Sequence, residues 1–440
     1  MSHDVDPDFG TALDAAAAIR AKKISSVELT QHTLRRIDAF QPTLNAYVYQ
    51  LRDEALAAAA RADDAIGRRT VTGALHGVPI NVKESFGVDG QPCTWGMPAL
   101  RTAKAPAHAV AVRRLLDAGA ILLGATNVPF ELMDVQAFND IYGTSNNPWD
   151  LGRTPGGSSG GAAASLAAGM AFFSIGSDIG GSIRAPAAFC GIYGHKPTLD
   201  LVNLAGHAPG GAYAPPGFST LLAVAGPMAR SADDLEAGLR LLAGPEPPDS
   251  KAFQWTLPTS RHHALRDFRI GYVLEDPAVP VSADTRSVLE PAIRACERAG
   301  ATIIQGWPEG FRFQELLDTY FFLLGAIVFS LTPPQDQEQA RSQLGTRPEH
   351  FVRGALSGFA DWQQKNMARL AYCAMWLPTT RGVRVVSHDP AHRVLHTFMA
   401  SCHEWPVFRP SRSSTAQCLT HDQSRPAAFR PSHHDSETSD

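Results

Sequence analysis

A lysine and two serines carry the chemistry this sequence can do. Lys83 closes the stretch Gly77-Val78-Pro79-Ile80-Asn81-Val82-Lys83, in which Val78, Ile80 and Val82 alternate like the buried face of a strand. Ser158 stands in Gly156-Gly157-Ser158-Ser159-Gly160-Gly161, and Ser182 in Asp178-Ile179-Gly180-Gly181-Ser182-Ile183-Arg184. Glycines beside a hydroxyl let backbone N–H groups approach a ligand closely. That suits a nucleophile with an oxyanion hole built around it. Cleavage of an unactivated amide needs a nucleophile, a proton route to the leaving nitrogen and stabilisation of the tetrahedral intermediate. Ser182 reads as the nucleophile, and the amides of Ile179, Gly180, Gly181 and Ser182 as candidate oxyanion donors. Lys83 reads as the base, with the Ser158 hydroxyl relaying the proton between them. Only a neutral amine can accept that proton, and at an ordinary pKa near 10.4 roughly one lysine in 2,500 is neutral at pH 7. Burial at a strand end can lower the value by about 3–5 units. Ser159, Asp178 and Arg184 read as residues that fix the two loops. Taken singly, each piece has a plainer reading: a flexible turn, a solvated lysine, a structural Asp178–Arg184 ion pair. Their combination in this order is the specific signal.

The elements that must hold these residues follow from pattern. Residues 11–22 favour a helix, and Ser25 with Glu28 forms a capping-box pattern ahead of a second helix, about Val27 to Phe40, stopped near Pro42. A third helical run, Arg52 to Ile66, ends at Gly67. After the lysine strand, residues 108–118 read as helix and Ile121-Leu122-Leu123 as a short strand. Residues 139–155, rich in Asn, Gly and Pro, read as a long loop. Gly161 to Ala168 is helical, and Ala171 to Ile175 is a buried strand delivering the second Gly-Gly-Ser turn. Beyond it come a helix from Ala232 to Ala243, strand-like stretches at 268–274 and 302–305, and a helix between them at 284–299. Strands alternating with helices imply an α/β architecture with a mixed sheet.

Bulk properties bound the rest. With 440 residues, 44% of them apolar and 19% charged, the chain can bury a large core as a soluble globular protein. A formal net charge of −4 argues against electrostatic capture of nucleic acid or anionic lipid. The six cysteines (Cys93, Cys190, Cys296, Cys373, Cys402, Cys418) include no C-x-x-C pair and fit reduced thiols. The N-terminus shows no signal peptide, so a cytoplasmic location is the expectation. The apolar runs at 162–175 and 321–331 fall short of the roughly 20 residues of a membrane helix. There is no Walker A motif and no H-E-x-x-H zinc pattern. The last stretch differs in character. No lysine follows Lys365, no tyrosine follows Tyr372, and His388, His392, His396, His403, His421, His433 and His434 crowd into it. Residues 377–440 are expected to be disordered, or to follow a departure from the native reading frame near Trp376.

The Lys83, Ser158 and Ser182 motifs resemble the amidase signature family. Gly124-Ala125-Thr126-Asn127, Gly191-Ile192-Tyr193-Gly194-His195-Lys196-Pro197-Thr198 and Gly226-Pro227-Met228-Ala229-Arg230-Ser231 fall in the family's order as well. The resemblance covers about residues 10–376 and is most specific over 73–231. It implies one large α/β domain with a mixed sheet flanked by helices. It also implies a catalytic Lys83, a bridging Ser158 in a cis peptide, an acyl-forming Ser182, oxyanion amides at Ile179 to Ser182, and a substrate-lining loop around Leu132. No metal or organic cofactor is implied. The function so implied is hydrolysis of a small-molecule amide to an acid and ammonia or an amine. The alternatives are an A-type subunit of an aminoacyl-tRNA amidotransferase, or a relic inactivated by its C-terminus. An esterase is a weaker third reading, since Gly156-x-Ser158-x-Gly160 matches a nucleophile elbow but follows loop rather than strand. Oligomeric state stays open, a homodimer included.

Overall fold

The computed structural model describes residues 6–369 apart from 72, 213–220, 248, 253, 258–259, 261, 279, 331–341, 343–348 and 359. Six strands form its main sheet: β1 (Tyr47–Gln50), β2 (Pro79–Lys83), β3 (Ile121–Thr126), β6 (Phe173–Asp178), β7 (Tyr193–Gly194) and β8 (Val224–Ala229), in the order β1-β3-β2-β6-β8-β7. The inner strands β3, β2 and β6 run parallel, while β1, β8 and β7 pair antiparallel at the two sides. Every residue of β2, β3, β6 and β8 is buried, as expected of strands covered on both faces. A polar side chain in such a strand must find a partner or lose stability. That makes Asn81, Lys83, Ser177 and Asp178 conspicuous.

Helices cover both faces. On one side α1 (Ala12–Arg20), α4 (Val110–Asp117) and α7 (Ala232–Leu242) supply Ile19, Leu115 and Leu242 to a cluster with Ile80, Val82, Phe173 and Ile175. On the other, α2 (Ser26–Leu44), α3 (Arg52–Arg68) and α5 (Gly160–Ala167) supply Ile37, Ala59 and Ala164 to a cluster with Ile121 and Leu123. Successive residues of β3 thus feed opposite layers, the period-2 rule at work. A short helix, α6 (Arg184–Cys190), follows the second Gly-Gly-Ser turn. Further along lie a two-stranded parallel sheet of β9 (Arg269–Tyr272) and β10 (Thr302–Gln305), joined through α8 (Ala283–Arg298), and then α9 (Phe313–Ser330) and α10 (Glu349–Ala355). This is an α/β fold with a mixed sheet flanked by helices.

Three local expectations need correction. Helix α2 does not stop ahead of Pro42 but carries it in the last turn, and Asn45 in the left-handed conformation closes the helix. A proline so near the end forfeits one hydrogen bond rather than a run of them. Helix α3 runs past Gly67 and is closed by Arg69, again left-handed. The 139–155 loop is not wholly irregular: β4 (Phe138–Asn139) and β5 (Gly143–Thr144) form a small antiparallel hairpin at its start. Residues 377–440 lie outside the described residues.

Candidate functional site

The centre of the sheet assembles the site. Strand β2 ends in Lys83, which is fully buried, and its Nζ donates to Ser158 Oγ at 2.6 Å and to Ser177 Oγ at 3.0 Å. Ser177 comes from the neighbouring parallel strand β6, just before Asp178. Burial draws the Lys83 ammonium down to about 7, against the opposing charges of Asp178 and Glu84. An amine at that value is neutral in a substantial fraction of molecules near pH 7, as a general base requires.

Ser158 is held in the turn before α5, and its peptide bond to Gly157 is cis. The Leu132 loop packs behind it. A Cβ at Gly157 would fall 2.3 Å from the carbonyl oxygen of Asp134, so only glycine fits that approach. Leu132 itself is half-buried and left-handed, with φ 60°. Asp134 and Val135, which follow Leu132 in this loop, back the Ser158 turn.

The second turn is built on Asp178. Its Oδ1 accepts from the Gly181 N–H at 2.8 Å and from Arg184 Nη2 at 2.9 Å. Its Oδ2 accepts from the Ile183 N–H and from Arg184 Nε, both at 3.0 Å. Burial alone would raise this carboxyl. The paired Arg184 guanidinium, the Lys196 charge and the backbone donors outweigh burial and hold it well below the usual carboxylate range. The Gly181 N–H is therefore committed to Asp178. Among the described residues, the N–H groups of Ile179, Gly180 and Ser182 make no hydrogen bond, and Ile179, Gly180 and Ser182 are half-exposed.

The two turns meet through backbone. The Ser159 N–H donates to the Ser182 carbonyl at 3.1 Å, whereas the buried Ser159 hydroxyl has no partner. The Ser182 hydroxyl makes no hydrogen bond among the described residues, so the Lys83–Ser158 link is formed here and the Ser158–Ser182 link is not. A relay hydrogen bond that closes only on a bound substrate is common in unliganded sites.

Sequence reasoning missed four neighbours. Ser177 is the second acceptor for Lys83, and its place in a wholly buried strand was the available signal. Glu84, fully buried next to Lys83, accepts from Thr94 N–H at 2.5 Å, Thr94 Oγ1 at 2.7 Å and Trp95 N–H at 3.0 Å. Burial pushes its carboxyl up to about 7 despite those donors. His207 packs between Phe86 and Trp95, ring centroids 4.6 and 5.0 Å away. Burial and then the Lys83 charge push it down to about 3. Tyr320, from α9, reaches the Gly180 turn. Nothing in periodicity could have placed the last two. Among the described residues no cluster of His, Cys, Asp or Glu could hold a metal ion, and no helix is long and apolar enough to cross a membrane.

Comparison with known proteins gives a consistent result. The family model for amidase matches residues 28–331. The A-type subunit of glutamyl-tRNA(Gln) amidotransferase from Halorhodospira halophila is 39% identical over 298 residues, covering 67% of this chain and 60% of that protein. Its counterpart from Carboxydothermus hydrogenoformans is 36% identical over 294 residues, covering 66% and 59%. The chain thus matches about 60% of the length of these curated relatives. Among solved structures, fatty acid amide hydrolase superposes with a TM-score of 0.74 at 25% identity, over 90% of this chain and 72% of that one. The native peptide amidase from Stenotrophomonas maltophilia superposes with a TM-score of 0.64 at 27% identity, over 83% and 80%. With the match running from α2 through α9, this chain belongs to the amidase signature family.

Proposed function

We propose that the protein hydrolyses a carboxylic amide through Lys83, Ser158 and Ser182. Neutral Lys83 takes the Ser158 proton as Ser158 takes that of Ser182. The Ser182 oxygen attacks the carbonyl, and the oxyanion is met by the free amides of the 179–182 turn. The proton then returns to the leaving nitrogen, an acyl-enzyme remains on Ser182, and water releases the acid by the same route in reverse. Gly181 shapes the turn through Asp178 rather than lending its own N–H. Ser159, Asp178 and Arg184 fix the loops, and Leu132 belongs to the loop that backs Ser158. The observation that carries this reading is the 2.6 Å contact between a fully buried lysine and the Ser158 hydroxyl. A Ser-His-Asp esterase has no use for such a lysine. Lys83→Ala should lower kcat on amides by about 10²–10⁴-fold, the usual worth of a general acid–base. Turnover of short, aryl and long-chain amides by the purified full chain reads this. Undiminished turnover in the variant would remove Lys83 from the mechanism.

A second reading is supported by the curated relatives, which are A-type components of an amidotransferase at 36–39% identity. Under it the same site would release ammonia for an aminoacyl-tRNA partner. Co-purification of a second polypeptide and tRNA-dependent turnover favour this reading; turnover of simple amides by the lone chain favours the first.

A further inference from the structure

We propose that Glu84 is a positioning residue: through the 94–96 turn and the 129–135 loop it holds the Ser158 turn against Lys83. Glu84 is fully buried, and a carboxylate there costs free energy unless its oxygens find donors. Both oxygens are spent on one turn. Oε1 accepts from the N–H and the hydroxyl of Thr94, and Oε2 from the Trp95 N–H. Thr94 Oγ1 in turn accepts from the Gly96 N–H at 3.1 Å. Trp95 is left-handed, with φ 53°, a conformation a bulky residue keeps only where its surroundings hold it. Glu84 holds its N–H, and the Ser85 carbonyl accepts from its indole N–H at 3.2 Å. Its own carbonyl accepts from the Glu131 N–H at 2.8 Å.

That last bond carries the clamp into the loop. Glu131 and Leu132 are both left-handed, with φ 51° and 60°, so this bend too needs outside support. Gly96 lies against the same loop, where a Cβ would stand 3.0 Å from the Pro129 carbonyl oxygen. Three residues beyond Glu131 the loop meets the Ser158 turn. A Cβ at Gly157 would stand 2.3 Å from the Asp134 carbonyl oxygen and 2.9 Å from Val135 Cα. The Val135 carbonyl accepts from Thr154 Oγ1, which accepts from the Gly156 N–H, both at 3.0 Å. Consecutive residues thus reach the Ser158 turn by two routes. Lys83 bonds the hydroxyl directly, and Glu84 fixes the backbone behind it. The proposal rests on Ser158 serving the proton route, but part of its test needs no turnover.

Glu84→Gln keeps the shape of the side chain and replaces one acceptor oxygen by a donor. Thr94→Val loosens the same clamp and keeps the Glu84 charge. In the full chain, amide hydrogen exchange should quicken about tenfold at 94–96, 129–135 and 154–159 in both variants, with α1 and α7 unchanged. Fluorophosphonate labelling of Ser182 should slow by about 10–10²-fold, as a displaced catalytic group implies. On amides, kcat should fall with KM unchanged. In a Ser158→Ala background neither substitution should slow labelling further. A purely electrostatic role has the opposite sign. The Glu84 charge favours protonated Lys83, so its loss alone would leave more of the amine neutral and speed labelling. Exchange that quickens only at 94–96, or equally in α1 and α7, overturns the proposal, as does undiminished labelling in either variant. If exchange and labelling behave as stated while the wild-type chain turns over no amide, the hydrolase reading fails and the positioning role stands.

Discussion

Lys83 is buried at the end of a central strand, and its neighbours hold it by hydroxyls rather than by a carboxylate in salt-bridge contact. Its titration therefore bears on stability and, under the proposed mechanism, on activity, and the sign of each can be worked out. The folded value is about 7 against an ordinary 10.5. Between those limits the unfolded chain binds a proton that the folded chain lacks, so stability rises with pH across the window. Below pH 7 both states are protonated, and the cost of the buried charge is complete. Lys83→Met removes that term. Its stability relative to the wild type, from urea unfolding, should improve by about 1.36 kcal/mol per unit as pH falls from 10 toward 7, then level off. Under the proposed mechanism the neutral amine is the active form, so wild-type kcat/KM should rise tenfold per unit below pH 7 and plateau above it. A stability difference flat across this window would mean that Lys83 keeps its proton in the fold. Asp178 shows the limit of residue-level reading. Its pairing with Arg184 is legible from their spacing. Its capture of the Gly181 N–H is not, because that depends on how tightly the turn closes.

At the scale of elements, what the sequence reveals tracks how local the cause is. The capping box of Ser25 and Glu28 is legible because its partners lie three residues apart, and both of its bonds form. Strand β2 is legible from the alternation of Val78, Ile80 and Val82. So is the cap of α7, where the Ser231 hydroxyl accepts from the Asp234 N–H at 3.1 Å, but the caps supplied from far along the chain are not. The first N–H groups of α2 donate to Asp63, 37 and 36 residues away, at 2.7 and 3.0 Å. Those of α1 donate to Asp234 of α7, at 2.9 Å from Ala12 and 3.0 Å from Leu13, across more than two hundred residues. No window along the chain contains such pairs. Each places a carboxylate at the positive end of a helix dipole while satisfying donors the helix cannot satisfy itself. Asp234→Ala leaves two such N–H groups without an acceptor, at about 1–3 kcal/mol each. It should therefore cost about 2–6 kcal/mol in urea unfolding and speed proteolysis of native protein around α1 before other sites. Asp234→Asn, which keeps one oxygen acceptor, should lose about half as much. Equal, negligible losses in both variants would mean that α1 is held by Ala12, Ala15, Ala16 and Ile19 alone.

For the whole molecule, the question is where the amidase domain ends. The family match reaches residue 331, and packing continues beyond it: Phe351 and Ala355 of α10 bury against Phe321, Leu324 and Val328 of α9. We propose the boundary near residue 376. The reason is composition: beyond that point lysine and tyrosine vanish, seven of the sixteen histidines gather, and neither hydrophobic period persists. A sequence without a period presents no continuous apolar face to bury, and without burial it contributes little to the fold. Ending the chain after residue 376 should then shift the thermal midpoint by less than about 2 °C. A surface segment is expected to have no more effect than that, whereas losing 1 kcal/mol of packing in a domain this size moves it by about 2–4 °C. Labelling of Ser182 by a fluorophosphonate should proceed at the same rate, since every residue placed in the site precedes residue 331. A midpoint lowered by more than about 5 °C, or lost labelling, would show that residues 377–440 pack on the domain. It would also count against a shifted reading frame, because an out-of-frame segment has no selected face with which to pack.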